Sequence, residues 1–284
     1  MRHEEHELKG QDGLRLYTRS WLPDTDPKAL VAVVHGLAEH SGRYAGFAGY
    51  LVPAGYAVAA FDLRGHGRSE GRRGYVDRFE EYLDDVAIFL EMLRRSYPGL
   101  PAFLLGHSLG GTIVAAYAGT RKLEDISGLI FSGPGIKVGT SISAVQVFFA
   151  HLLSRLAPGM GVATLEADAI SRDRAVVQAY VSDPLVFRGR ISARLGSESL
   201  RALSLVQQNM HRISCPVLIL HGGDDRLSNP EGSQLLYDGV SSADRTLVVY
   251  SGYYHELFNE PGRETVLADL VRWLDEHLPA AAPG

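Results

Sequence analysis

The stretch LLGHSLGGT, residues 104–112, places one serine, Ser108, among three glycines. An apolar run, PAFLLGH (Pro101–His107), leads into it, and a pattern with helical spacing, GTIVAAYAG, leads out. A strand that turns into a helix within so few residues forces strained backbone angles on the residue at the corner. The glycines of Gly106-His107-Ser108-Leu109-Gly110 then stand where a side chain would collide with neighbouring elements. Such a corner holds a hydroxyl at the C-terminal edge of a sheet and at the N-terminus of a helix, where the helix dipole favours developing negative charge. A bare G-x-S-x-G is common, but one set between a strand and a helix points to a nucleophile.

Working outward, ALVAVVHG (Ala29–Gly36), YAVAAFD (Tyr56–Asp62), ISGLIFSG (Ile126–Gly133), CPVLILHG (Cys215–Gly222) and RTLVVYSG (Arg245–Gly252) repeat the apolar run closed by Gly or Asp. They read as strands buried on both faces. LRLYTRSWLP (Leu14–Pro23) alternates instead, as a half-exposed antiparallel strand does. Between the runs, apolar residues recur three and four apart at Phe79, Leu83, Val86, Phe89, Leu90 and Leu93, and again at Val266, Leu267, Leu270, Trp273 and Leu274. Thr112–Ala118 and Ser233–Tyr237 also read as helical. Strands alternating with helices predict right-handed β-α-β units and a mostly parallel central sheet flanked by helices, an α/β fold.

From Pro134 to Asn209 the alternation stops. SISAVQVFFAHLLSRL reads as an apolar helix, APGMG breaks it, and the remainder looks helical or irregular. A stretch of this length is too long for a loop. The expectation is a core formed by residues 1–133 and 210–284, with a helical cap, or lid, inserted at 134–209 after the strand at about 126–133.

Composition narrows the function. The 284 residues are 45% hydrophobic and carry a formal net charge of −5, which gives no reason to expect nucleic acid as a partner. A single cysteine, Cys215, allows neither an internal disulfide nor a cysteine zinc cluster, and it reads as a buried, inert thiol. The charged opening MRHEEHELKGQDG lacks the apolar region of a secretory signal, and no run is long enough to span a bilayer. These features lead us to expect a cytoplasmic protein.

A serine hydroxyl needs a base, and the base needs a carboxylate to orient it. On an elbow of this kind the chain order is serine, acid, histidine. Five histidines follow Ser108. His151 falls in the inserted segment, His277 at the end of the last helix, His211 before a strand, and His221 at the buried end of VLILH. His255, in SGYYHELFNEPG, lies between the last strand and the last helix, where the base belongs. For the acid, HGGDDRLSNPEG offers Asp224 and Asp225, which composition and spacing do not separate.

Taken together, VVHGLAEHSGRY, FDLRGHGRSEGRRGYV, LLGHSLGG, LILHGGDDRLSNPEGS and YYHELFNE resemble the monoacylglycerol lipase and lysophospholipase branch of the α/β-hydrolase fold, over about Tyr17–Leu278. The resemblance implies that the acid is the aspartate before RL, Asp225. It implies an oxyanion hole made by the backbone N–H groups of Leu37 and Leu109, in keeping with the expectation that the loop after the third strand supplies one donor. It also places Glu39 and Arg43 near the glyceryl end of the acyl pocket, where the plainer alternative is a solvated ion pair. His35 is read as structural, and DLRGHGRSEG as a tight turn near the site. Some relatives carry a polar histidine three residues after the catalytic one; here that position is Phe258.

The implied reaction is hydrolysis of a monoacylglycerol to fatty acid and glycerol through an acyl-enzyme, with no metal and no organic cofactor. A lysophospholipase or short-chain carboxylesterase would use the same triad, and a non-catalytic binding protein would need none. In the inserted segment, Val145, Phe148, Phe149, Leu152 and Leu153 fall on one helical side. That stripe either packs on the core or, with Phe148 and Phe149 against the acyl chain, lines a tunnel and touches a membrane or micelle. The second reading adds peripheral membrane contact to the cytoplasmic one.

Overall fold

The computed structural model describes residues 1–137 and 151–279. The ten strands among the described residues are β1 (Arg2–Lys9), β2 (Arg15–Leu22), β3 (Ala29–Val34), β4 (Tyr56–Phe61), β5 (Ala102–His107), β6 (Ile126–Ser132), β7 (Gly161–Ala163), β8 (Ile191–Ser192), β9 (Val217–Gly222) and β10 (Arg245–Tyr250). Eight of them form one sheet in the order β1-β2-β4-β3-β5-β6-β9-β10. The β1–β2 and β2–β4 pairs are antiparallel and the others parallel, so the mostly parallel sheet expected from the alternation, and the α/β-hydrolase architecture implied by the resemblance, are present.

The helices used below are α1 (Ala45–Leu51), α2 (Glu80–Ser96), α3 (Leu109–Thr120), α4 (Arg174–Ser182), α5 (Ala193–Asn209), α6 (Pro230–Gly239) and α7 (Arg263–Glu276). All six residues of β3 are buried, because the sheet is covered on both faces. Alternate side chains divide between two cores. Leu30, Ala32 and Val34 join Phe79, Phe89, Ile113 and Leu236 on one face. Val31 and Val33 join Phe47, Leu51, Val266 and Trp273 on the other. This period-two division is the reason the central strands read as unbroken apolar runs.

Three elements differ from the sequence reading. The charged opening forms β1, paired over its whole length with β2 from Arg2↔Leu22 to Lys9↔Arg15. It gave no apolar signal because it is an exposed edge, where charge guards against pairing with another chain. β2, expected to be half exposed, is largely buried, since Leu16 and Leu22 enter one core and Trp21 the other. β10, expected to be buried on both faces, is the opposite edge and is largely part-exposed, so its apolar run overstated its burial.

The segment between β6 and β9 holds a two-stranded antiparallel sheet, β7–β8, and a small apolar cluster of Ile170, Val177, Tyr180 and Val186. Asp173 caps α4 by accepting from the Ala175 N–H, and Ser192 caps α5 by accepting from the Leu195 N–H. α5 also enters the main core through Leu195, Ala202 and Val206. Of the apolar stripe, Val145, Phe148 and Phe149 lie outside the described residues; Leu152 and Leu153 fall in a helical stretch at 151–156.

The register brings the site together. Val34 lies opposite Gly106, His107 opposite Ser132, and Ser132 opposite Leu220. The loops that leave β3, β5, β6 and β9 therefore emerge along one edge of the sheet, the usual binding edge of open α/β sheets.

Candidate active site

Ser108 follows β5 directly, with φ 53° and ψ −117°, a conformation L-residues avoid. The flanking glycines make that turn possible. A Cβ on Gly110 would lie 2.0 Å from the Val34 carbonyl oxygen, and one on Gly106 would lie 2.4 Å from the Gly110 carbonyl oxygen. The corner is fixed by the Ser108 N–H donating to the Ser132 carbonyl, and by the Ser108 carbonyl accepting from the N–H groups of Thr112 and Gly135.

Asp225 and His255 meet beside it. His255 Nδ1 lies 2.7 Å from Asp225 Oδ2, and both side chains are buried. A carboxylate can only accept, so Nδ1 carries the proton and Nε2 is left as a base. Asp224, the neighbour the sequence did not separate from Asp225, is exposed. Gly222 lets the histidine loop come close: a Cβ there would lie 2.1 Å from the Tyr254 carbonyl oxygen. Asp225 Oδ1 accepts from the N–H groups of Leu227 (2.8 Å) and Ser228 (2.9 Å). Asn229 then caps α6, with Pro230 in its first turn.

Burial alone would push the Asp225 carboxyl up. The charge of His255 and hydrogen bonds from His221, His255 and Ser228 outweigh it and hold Asp225 well below the usual carboxylate range. Burial would lower His255. The Asp225 charge and hydrogen bond, with Glu256 and Glu39 adding to them, raise it above its ordinary 6.5. Ser108 and His255 line one narrow cleft with Leu37, Glu39, His107, Tyr180 and Glu256. Ser108 Oγ is not hydrogen-bonded to His255 among the described contacts; such bonds often run long until substrate docks.

The loop after β3 brings Leu37 to the cleft, and Leu109 opens α3. Neither backbone N–H donates to another backbone group among the described residues outside regular helix and strand bonds. His35 braces the loop from below, fully buried: its Nε2 accepts from the Leu63 N–H at 2.9 Å, so its Nδ1 donates to the Gly36 carbonyl at 2.7 Å.

Glu39 and Arg43 are paired, but not in solvent. Glu39 Oε1 accepts from the Gly36 N–H (2.6 Å) and from the Tyr44 hydroxyl (3.0 Å), and Oε2 accepts from Arg43 (3.3 Å). Burial opposes ionisation of Glu39, but His107, Arg43, His35 and the Gly36 N–H hold its carboxyl down at about 2. Arg43 in turn grips both oxygens of Glu256, with Nη2–Oε2 at 2.7 Å, and its guanidinium lies 4.8 Å from the Tyr180 ring centre. The sequence reading missed Glu256 and Tyr180. Glu256 had a weak signal as the neighbour of His255, whereas Tyr180 arrives on α4 from a segment whose packing no local pattern reveals. Phe258 is buried against Phe47, with ring centres 4.8 Å apart. Cys215 is part-buried and its thiol is pushed up to about 11 by burial, in keeping with an inert side chain.

Comparison with known proteins shows the family. Residues 25–262 match the family model described as serine aminopeptidase, S33. The monoacylglycerol lipase of Mycolicibacterium smegmatis is 42% identical over 274 residues, covering 96% of this chain and 98% of the relative. The monoglyceride lipase of Mus musculus is 37% identical, covering 98% of this chain and 92% of its own. Among solved structures, the monoacylglycerol lipase of Paleococcus ferrophilus superimposes with a TM-score of 0.80 at 34% identity, over 98% of this chain and 100% of the other. The chain belongs to the monoacylglycerol lipase branch of the α/β-hydrolase fold and is a serine carboxylic ester hydrolase.

Proposed function

We propose that the chain hydrolyses monoacylglycerols, with Ser108 as nucleophile, His255 as general base and acid, and Asp225 as the carboxylate that orients it. The observation that carries this reading is the 2.7 Å His255–Asp225 bond beside a serine held on a glycine-flanked elbow. Nε2 of His255 takes the Ser108 proton as Oγ attacks the ester carbonyl. The Leu37 and Leu109 N–H groups receive the oxyanion, a contribution of about 3–4 kcal/mol per donor in such sites. His255 then gives the proton to the departing glycerol oxygen, and a water repeats the cycle on the acyl-enzyme.

The names of the relatives point to a glyceryl ester, and the charge around the cleft favours the same choice. Two carboxylates, Glu39 and Glu256, close on one guanidinium, Arg43, which leaves the cluster with one negative charge in excess. An uncharged glyceryl head enters beside that cluster at lower cost than a phosphate, which favours monoacylglycerol over lysophospholipid.

Residues 134–209 serve as the cap in this reading. Leu152, Leu156, Met160 and Val162 are exposed there at 40%, 77%, 51% and 41%. They supply the apolar contact through which the chain meets a micelle or membrane holding its substrate. No described helix is long and apolar enough to cross a membrane. Replacing Leu156 and Met160 by Ser should leave hydrolysis of a dissolved short-chain ester unchanged and weaken flotation with lipid vesicles; unchanged flotation sinks the docking idea.

A fluorophosphonate probe with peptide mapping tests the core of the proposal. Label should fall on Ser108, vanish in Ser108→Ala and form far more slowly in His255→Ala. Absence of label, or label on another residue, would overturn it.

A further inference from the structure

A second histidine reaches the triad carboxylate from behind. His221, the penultimate residue of β9, is fully buried. Its Nδ1 lies 2.6 Å from the Ser233 hydroxyl of α6. Its Nε2 lies 3.2 Å from the Ser228 carbonyl and 3.1 Å from Asp225 Oδ2. A carbonyl and a carboxylate can only accept, so Nε2 carries the proton and Nδ1 receives the Ser233 hydroxyl proton. Since Asp225 Oδ1 is already filled by the Leu227 and Ser228 N–H groups, the remaining oxygen, Oδ2, is shared between two imidazoles, those of His255 and His221.

We infer that His221 is a positioning residue of the hydrolysis, fixing the direction of Asp225 Oδ2 and dividing its charge between His221 and His255. The inference rests on the triad reading above. A histidine that merely filled core space would need its polar atoms satisfied and nothing more. This one spends its proton on the oxygen that orients the base, and Ser233 fixes the tautomer that makes donation possible. When that donor is lost, the negative charge on Oδ2 turns more fully toward His255, and the carboxylate gains freedom to swing. His255 then holds its proton more tightly and presents Nε2 less steadily.

The groups that face His255 decide whether the effect can be read. They are Asp225 after β9, His107 at the end of β5 with its ring centre 4.7 Å away, Glu256 beside it, Glu39 from the loop after β3, and Tyr180 from α4, which lines the same cleft. Apart from Asp225, none of these changes when His221 is replaced, so a moved profile reports the altered carboxylate.

The test compares His221→Leu, His221→Gln and Ser233→Ala in pH profiles of kcat/KM on a dissolved ester. In His221→Leu, kcat should fall about tenfold, the scale of losing an outer-shell orienting partner. KM should stay near wild type, and the acid limb should move to higher pH. His221→Gln, whose amide can donate to the same oxygen, should recover most of both. Ser233→Ala keeps the imidazole and should move the limb the same way by less; it carries the test if His221→Leu does not fold. Acid limbs that superimpose on wild type would overturn the inference. Fluorophosphonate labelling of Ser108 in the wild type separates the two failures. If Ser108 labels and the limbs do not move, the role of His221 falls alone; if Ser108 does not label, the triad reading falls first.

Discussion

Arg43 and Glu256, 213 residues apart in the chain, form a two-pronged ion pair against the cleft, and Glu39 accepts from Nη1 of the same guanidinium. Both partners are almost completely shielded from solvent. Replacing Arg43 by Met would leave two carboxylates buried without a cation, which typically costs about 3–5 kcal/mol. Arg43→Lys should cost less, since it restores charge without the planar fork. Urea denaturation of the two variants measures the difference. Equal stability of wild type and Arg43→Met would show the cluster to be solvated after all.

Ser108 stores backbone strain that, in the proposed mechanism, its role as nucleophile requires. A non-glycine residue so far from the allowed regions costs on the order of 1–3 kcal/mol. Ser108→Gly should therefore raise stability by about 1 kcal/mol, or roughly 2–4 °C in Tm, while removing activity. Ser108→Ala should be just as inactive, down by roughly 10⁴-fold or more, without that gain. Calorimetry of the pair separates backbone relief from loss of the hydroxyl.

Two glycines predict opposite outcomes. At Gly110 an added Cβ would lie 2.0 Å from backbone, so Gly110→Ala should prevent folding or cost more than about 3 kcal/mol. At Gly49, on the exposed side of α1, an added Cβ meets nothing within 4 Å. Gly49→Ala should stabilise by about 0.5–1 kcal/mol. Thermal melts of both variants decide it.

Activity and stability should both fall on acidification, through different groups. In the proposed mechanism only neutral His255 accepts the serine proton, so kcat/KM should fall with acidification through a value above the ordinary 6.5. A raised histidine stabilises the folded state fully below 6.5, and that contribution disappears as pH rises through the folded value. The lowered carboxyls act in the opposite sense: Glu39 contributes above about 4.5, and the contribution fades as pH falls toward 2. Asp225 behaves likewise from 3.8 downward. Burial holds His35, His66 and His107 below 6.5, so each destabilises the folded state as pH falls below 6.5, and together they outweigh the gain from His255. Stability should therefore fall on acidification from neutral pH, and a urea midpoint that rises between about pH 7 and pH 5 would contradict this.

The parts of this architecture readable in the sequence are those governed by local rules. The buried strands announced themselves because both faces are covered, and the corner at Ser108 did so because its glycines answer a local clash. Position in the chain pointed to His255, which the structure places against Asp225. Asp225 and Asp224 could not be separated locally, since what distinguishes them is which one turns inward after β9. The Arg43–Glu256 pair, Tyr180 and the contact between His221 and Asp225 were illegible for a related reason. Each depends on elements distant in sequence arriving at one edge of the sheet. The edge strands were misjudged because apolar content reports burial only where a neighbour covers the face.

The most direct measurement is kcat/KM for a long-chain monoacylglycerol, the matching diacylglycerol, a lysophosphatidylcholine and p-nitrophenyl butyrate, with Ser108→Ala as control. The account predicts that the monoacylglycerol is the best of the four and that the variant is inactive on all of them. A variant as active as wild type, or a lysophospholipid preferred over the monoacylglycerol, would contradict it.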